Sequence, residues 1–323
     1  MTDDRLLPLE LRQALDAASA GVSIRELGAA AARLSVGYRD GHNVSPEFDD
    51  LAALAYAATR MPATFAATRA VFKELYHRCD GLCVETLLDI GAGPATTLWA
   101  ADLVFPQLAK ARLVEPEPAM RAMGQRLLER SLLADRIDAT WYAGVSAVPP
   151  PAEHDLVVIG YLLTELGEQA QRDVLRAAWQ ACRGAVALIL PGSTRGSRTM
   201  LEARRELLSL GASIVAPCPH ANRCPLPDED WCHFGVRLNR SSLHRRLKDG
   251  ALAYEDEKYC YVVATRGVGQ PAAGRLIGRP LTGDRRVTLR VCGVDGIREQ
   301  MMTRRDRDVY RRARKAHWGE TWE

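Results

Sequence analysis

The feature that most limits the fold begins at Glu85. From there short apolar runs alternate with amphipathic stretches of helical length. ETLLDIGAG runs into a glycine turn, PATTLWAADLVF reads as a helix, ARLVEPEP as a second strand and AMRAMGQRLLERSLL as a second helix. ATWYAG supplies a third strand, HDLVVIGYLLTEL a fourth running into a helix, QRDVLRAAWQACR a helix and GAVALILPG a fifth strand. RTMLEARRELLSL is another helix, and EDEKYCYVVATR a returning strand. Successive parallel strands need crossover helices, so this alternation predicts an α/β protein with a Rossmann-like, doubly wound sheet.

Around that domain the layout is expected to be a helical region at 1–80, the Rossmann domain at 81–266 with a cysteine-rich insertion at 211–253, and a small β-containing extension with a basic tail at 267–323. In the first region LPLELRQALDAA has apolar residues at helical spacing. Ser23 stands three residues before Glu26 as in a capping box. Ser45 to Asp50 is a polar break, and DLAALAYAATRMPATFAATRAVFKELYHR reads as one or two helices interrupted at Pro62. In the extension RLIGRP and RRVTLRVCG read as strands, followed by a helix-like tail.

The glycine turn carries the first functional signal. Gly91 and Gly93 of DIGAG let the backbone approach a ligand and open the next helix. Glu115 ends the second strand, 22 residues after Gly93, where a carboxylate can accept from both ribose hydroxyls. NAD and S-adenosylmethionine proteins share that arrangement. Asp89 before the turn, and Ala95 where a dinucleotide fingerprint has its third glycine, favour the methyl donor, which has no pyrophosphate to cradle. Asp89, Gly91, Gly93 and Glu115 are the expected cofactor-binding residues. Tyr161 joins them from the segment after the fourth strand, with Glu165 as a further lining candidate. No Asn-Pro-Pro-aromatic tetrapeptide is present, and no residue is assigned a catalytic role. Methyl transfer can proceed largely by alignment.

The second signal is CPHANRCPLPDEDWCHF, Cys218 to Phe234, with three cysteines, two histidines and three prolines in 17 residues. Cys218, Cys224 and Cys232 are spaced C-x5-C-x7-C, without the tight knuckle of zinc ribbons. The Cys-Pro steps also occur in iron–sulfur ligation. Thiolates suit both zinc and iron, so zinc stays open. A fourth ligand is needed, and His220, His233, Cys260 and Cys292 are the candidates. Weak secondary-structure signals suggest that a ligand holds the loop.

Charge is the third signal. Residues 1–194 hold 18 basic and 24 acidic groups, net −6; residues 195–323 hold 25 and 16, net +9. The closing segment 298–315 has eight basic and three acidic groups. Its exposed-face candidates are Arg304, Arg305, Arg307, Arg311, Arg312, Arg314 and Lys315. Tyr310, His317, Trp318 and Trp322 can stack on unpaired bases or anchor the tail. No apolar run approaches the roughly 20 residues needed to span a bilayer. No secretory leader is visible at Met1, so a cytoplasmic, monomeric protein is expected.

The chain resembles the methyltransferase-like assembly factors of the mitochondrial small ribosomal subunit and their bacterial relatives. The likeness runs through LSVGYRDG, AYAATRMPATFAATRAV, LLDIGAGPATTLWAA, DLVVIGYLLTEL, APCPHANRCPLPDEDWCHFGVRLNR, EDEKYCYVVATR and YRRARKAHWGETW. It implies a 4Fe–4S cluster on Cys218, Cys224, Cys232 and a later cysteine, Cys292, with Cys260 as rival. It also implies binding to small-subunit ribosomal RNA, through which the basic tail becomes an RNA-contact candidate. A methyltransferase acting on ribosomal RNA is a second possibility. The alternative is a small-molecule methyltransferase with a structural zinc site. Leu190, where an acid before Pro-Gly is common, and Ala95 depart from the family pattern.

Overall fold

The computed structural model describes residues 6–40, 49–148, 153–248 and 252–322. It opens with four helices, α1 (Leu9–Ser19), α2 (Ile24–Asp40), α3 (Asp50–Thr59) and α4 (Met61–Arg78). Ser23 stands just before α2 and its hydroxyl accepts from the Glu26 N–H at 3.4 Å, half of the expected capping box. Most of the polar break lies outside the described residues, but Asp49 at its end caps α3 through the Ala52 N–H at 2.7 Å. The α3–α4 junction falls at Arg60. Pro62 sits in the first turn of α4, where its missing N–H leaves no helical bond unmade.

The Rossmann-like part follows as β1 (Thr86–Ile90), α5 (Thr96–Asp102), β2 (Lys110–Val114), α6 (Pro118–Leu128), α7 (Leu133–Arg136), β3 (Asp138–Tyr142), β4 (His154–Gly160), α8 (Glu168–Gln180), β5 (Cys182–Pro191), α9 (Thr194–Ser209) and β6 (Ser213–Ala216). Then come β7 (Phe234–Asn239), α10 (Ser242–Leu247) and β8 (Tyr254–Thr265). The sheet order is β3-β2-β1-β4-β5-β8-β6, with β7 also pairing β8. The first five strands are parallel, and β8 runs antiparallel to β5, β6 and β7. Central β4 and β5 are buried on both faces, as their unbroken apolar runs require.

Twelve residues make β8 longer than the sheet is deep. Its second half inserts between β5 and β6. Its first half runs past the carboxyl edge of the parallel strands and pairs with β7 there. Strands β6 and β7 lie outside the elements expected from the sequence. The β7 alternation of Phe234, Val236 and Leu238 with Gly235, Arg237 and Asn239 is a six-residue signal beside a cysteine-rich stretch.

The last unit is a second sheet of β9 (Gly274–Leu276), β10 (Leu281–Thr282), β11 (Arg286–Gly293) and β12 (Gly296–Thr303), closed by α11 (Arg307–Lys315). The expectation of a helix-like tail from 298 is therefore corrected. Its first part is strand β12, paired along β11 through a tight turn ending at Gly296, whose φ of 114° suits glycine. Helix α11 buries Tyr310 and Ala313 against Leu276, Val287, Leu289, Val291 and Trp322.

Candidate functional site

A cleft of about 720 Å³ opens at the carboxyl ends of β1, β2 and β4, lined among others by Gly91, Gly93, Glu115, Glu117 and Tyr161. Its rim is a backbone construction. Gly91 (φ 82°), Gly93 (φ 52°) and Ala95 (φ 67°) all take left-handed conformations. A Cβ on Gly91 would meet Leu162 at 3.2 Å. At Ala95 the glycine-type geometry survives without the glycine, at about 1–2 kcal/mol.

Glu115 holds the turn in place. One of its oxygens accepts from the Gly93 N–H at 2.8 Å, the other from the Glu117 N–H at 2.9 Å. Burial pushes its carboxyl up, and those two bonds act against the rise. Glu117 then caps α6. Asp89 departs from expectation. It lies fully buried beneath the turn and does not line the cleft. Burial pushes its pKa up to about 7, against the lowering effect of the Thr97 hydroxyl. Asp89 thus belongs to the floor of the turn, because side chains alternate along β1 and its own points to the closed side.

Tyr161 lines the cleft with a left-handed backbone (φ 62°) and packs partly against the main core. Its hydroxyl donates to Glu257 at 3.1 Å. Sequence reasoning missed Tyr56, which lines the cleft from α3, and Glu257 on β8. Burial raises the Glu257 carboxyl, and the Arg60 guanidinium opposes the rise. The available signal was alternation, which puts Glu257 on the buried face with Tyr259, Tyr261 and Val263. The charged side chains lining the cleft are Glu115, Glu117, Glu165 and Asp173, all acidic.

On the same edge of the sheet, past β5, the chain leaves β6 through a cis Ala216–Pro217 bond into the cysteine segment. Cys218, Cys224, Cys232 and Cys292 line one small cavity of about 50 Å³ with Cys260 and His220. All are free thiols. Cys292 arrives from β11 of the second sheet, its sulfur 3.7 Å from His220 Nε2. Burial raises the Cys232 thiol well above the usual range, with Cys218, Cys224 and Cys292 adding to the rise. Cys292 is pushed up to about 12, chiefly by burial. Cys260 has a partner already, the Pro191 carbonyl at 3.3 Å. His233 does not line the cavity; it stacks on Trp231 and meets Trp318 edge to face.

Among the described residues no three His, Cys, Asp or Glu side chains stand close enough to hold a single ion. The expected ligands share a cavity without forming a ligand shell there. Nor is the loop without support, as its composition suggested. Arg204 donates to the His220 carbonyl at 2.6 Å, and Arg275 to the Pro217 and Gly319 carbonyls at 3.2 and 2.9 Å. Arg290 pairs with Asp230 at 2.6 Å, and the Trp231 indole donates to the Gly192 carbonyl at 3.0 Å. Arg204 and Arg275 are buried cavity-lining cations that the sequence analysis did not single out.

The seven basic candidates Arg304, Arg305, Arg307, Arg311, Arg312, Arg314 and Lys315 are all exposed. Arg304 and Arg305 occupy a 3₁₀ turn, and the others ride α11. Tyr310 and Trp322 are buried anchors, with Arg312 over the Trp322 ring at 4.3 Å. Trp318 is half-buried and His317 exposed.

The family model described as mitochondrial small ribosomal subunit Rsm22 matches residues 50–323, spanning cleft, cavity and basic helix. The chain belongs to the Rsm22 family. The resemblance seen in the sequence is thereby borne out. Human mitochondrial ribosome assembly protein METTL17 is 27% identical over 286 residues, covering 83% of this chain and 61% of that protein. The mitochondrial Rsm22-cox11 tandem protein 2 of Schizosaccharomyces pombe is 26% identical over 329 residues, covering 83% and 42%. The chain thus spans less than two thirds of the length of these relatives. Both are mitochondrial, as is the family description, and this corrects the cytoplasmic expectation toward a mitochondrial setting. Among solved structures, magnesium protoporphyrin IX methyltransferase from Synechocystis with bound S-adenosylmethionine is 11% identical at a TM-score of 0.43, covering 71% of this chain and 89% of that one. A putative RNA methyltransferase from Pyrococcus horikoshii is 11% identical at 0.40, covering 64% and 81%. No helix among the described residues is long and apolar enough to cross a membrane.

Proposed function

We propose that this Rsm22-family chain is an assembly factor of the small ribosomal subunit. In this reading it binds subunit RNA through its basic C-terminal surface, holds S-adenosylmethionine in the cleft and carries a 4Fe–4S cluster in the cysteine cavity. The observation that carries it is a family match that spans cleft, cavity and basic helix together. For the donor, the support is the glycine turn closed on Glu115 at the topological switch between β1 and β4, where open α/β sheets bind ligands. Gly91 and Gly93 would admit the donor, Glu115 would face its ribose, and the acidic lining would suit its cationic sulfonium. Bound there, the donor would offer a transferable methyl group. The same acidic lining disfavours phosphate groups at the cleft, so RNA contact is assigned to the basic surface and methylation of RNA is not part of the proposal.

For the cluster, the support is the donor set. Cys218, Cys224, Cys232 and Cys292 would be the ligands, since they line one cavity and Cys260 is engaged by Pro191. A tetrahedral ion needs its ligands in one tight shell, whereas a cluster spreads four thiolates over separate irons. Buried Arg204 would help to balance thiolate charge. When bound, a cluster would supply a cationic core that joins the β6–β7 loop to the second sheet through Cys292.

The test is binding of small-subunit RNA or pre-subunits at moderate salt, beside metal analysis of anaerobically purified protein. Binding that weakens with a log–log salt slope of roughly 0.7–0.9 per phosphate contact supports the reading. Four irons and four sulfides per chain are expected. Absence of RNA binding removes the assembly-factor reading; one zinc with no visible absorption removes the cluster and moves the assignment to a small-molecule methyltransferase.

A further inference from the structure

A second pocket lies behind the cysteine cavity and has no part in the functions assigned above. It measures about 410 Å³, within the range of small-ligand sites, and is formed by the end of α4, by β7 and β8, and by the closing segment 318–321. Phe234, Tyr261 and Arg275 line both this pocket and the cysteine cavity, so the two stand back to back.

Its walls are aromatic. Phe234, Tyr259 and Tyr261 form a ring cluster with centroids 5.2–6.2 Å apart, and half-buried Trp318 closes one side. Tyr259 and Tyr261 are only 7% and 5% exposed. No hydrogen bond to either phenol hydroxyl stands among the described residues, and neither oxygen is among the fully buried unpartnered atoms, so both open to the pocket. A ligand edge with acceptors would take those hydroxyls in place of water.

Of the acids at the rim, Glu74 is held by Arg275 and Arg78, and exposed Glu320 lies 2.9 Å from the His317 ring nitrogen. Exposed Arg314 and Lys315 come just before Trp318 in the chain. A flat, heteroatom-edged ring attached to a phosphate backbone satisfies all of these features: ring faces to stack on, hydroxyls at its edge, cations for the chain that carries it.

We infer that this pocket captures one unpaired nucleobase of an RNA whose backbone lies along α11, with Trp318 as the stacking platform and the Tyr259 and Tyr261 hydroxyls at the base edge. The inference rests on the RNA reading above and adds to it a preference for single-stranded over duplex RNA.

The test uses the full chain, a short mixed-sequence single strand and the same sequence annealed into a blunt duplex, titrated over a range of salt. Wild type should prefer the single strand. Trp318→Ala should weaken single-strand binding roughly 10-fold, leave duplex binding and the salt slope unchanged, and be partly rescued by Trp318→Phe. Because Trp318 also touches His233, Tyr259→Phe provides a milder variant, expected to weaken the single strand a few-fold at unchanged melting temperature. Arg314→Ala with Lys315→Ala should instead weaken both RNAs and flatten the slope. Equal wild-type affinity for the two RNAs, or single-strand binding indifferent to both Trp318→Ala and Tyr259→Phe, overturns the inference while leaving the RNA reading standing. Binding of neither RNA removes the RNA reading and this inference together.

Discussion

The glycine-turn cleft and the cysteine cavity share one edge of one sheet, yet they are built on opposite principles. The cleft is local. Its turn, its acid and its helix cap lie within a short stretch from Asp89 to Glu117, and Glu115 ties them together by bonding the backbone at Gly93 and Glu117. The cavity is assembled from distant chain. Its thiols come from the β6–β7 loop, β8 and β11, and its pegs come from α9, β9 and β11. A site closed by its own backbone is set by short-range geometry, whereas the cavity depends on side-chain pegs that arrive from separate elements.

That contrast can be broken most directly at the cavity. Cys292→Ser should abolish iron retention and lower the melting temperature by about 10 °C, as expected when several kcal/mol of ligand linkage is lost. Calorimetry with metal analysis reads both, and a variant that keeps its iron and its melting point would return the fourth ligand to Cys260. The same substitution should leave donor binding at the cleft intact.

At the cleft, Glu115→Ala removes the acceptor of two backbone N–H groups along with the proposed ribose contact. Donor affinity by titration calorimetry should fall about 10- to 100-fold, the scale of hydrogen bonds to a charged group. Iron content should not change. Parallel loss of both ligands would mean that the two sites fold as one.

The buried Asp89 gives the cleft side a pH-dependent contribution. Its folded pKa of about 7 lies above its ordinary value of 3.8. The folded state therefore binds this proton more tightly than the unfolded chain, and the Asp89 contribution to stability falls as pH rises between about 4 and 7. Buried His154, held down to about 4 from 6.5, works in the opposite direction over much of that window. Asp89→Asn should therefore make the slope of stability against pH more positive between about 4 and 7 and raise stability at pH 8, by a few kcal/mol at most. Urea unfolding at several pH values measures it, and an unchanged slope would mean that Asp89 stays ionised. The smallest expected effect is at the turn. Ala95→Gly relieves a left-handed alanine and should stabilise by about 1 kcal/mol in the same urea assay. A loss of stability would show that the lost chain entropy of glycine outweighs the strain.

Much of this was legible beforehand, for reasons that differ by residue. Gly91, Gly93 and Glu115 were readable because a turn and the acid after the next strand are fixed by short-range geometry. The parallel strands were readable because double burial demands unbroken apolar runs. Asp89 was misplaced because one residue of alternation separates lining the cleft from lying beneath it. Strand β12 was taken for tail because its charged residues face solvent from a sheet edge and mask a weak alternation. Glu257, Arg204 and Arg275 were missed because a charge in sequence carries no mark of whether it will be buried.

The sequence by itself determined the strand–helix alternation, the glycine turn with its acid, the set of thiols and the place where positive charge collects. Each follows from local periodicity or composition. Only the tertiary structure decided that Cys292 meets the insertion cysteines, that β8 carries Glu257 to Tyr161, and that Phe234, Tyr259, Tyr261 and Trp318 enclose a pocket. Those juxtapositions depend on strand order and on how the second sheet packs against the first. Strand order and sheet packing are set by the burial of whole faces, which no short window of sequence contains.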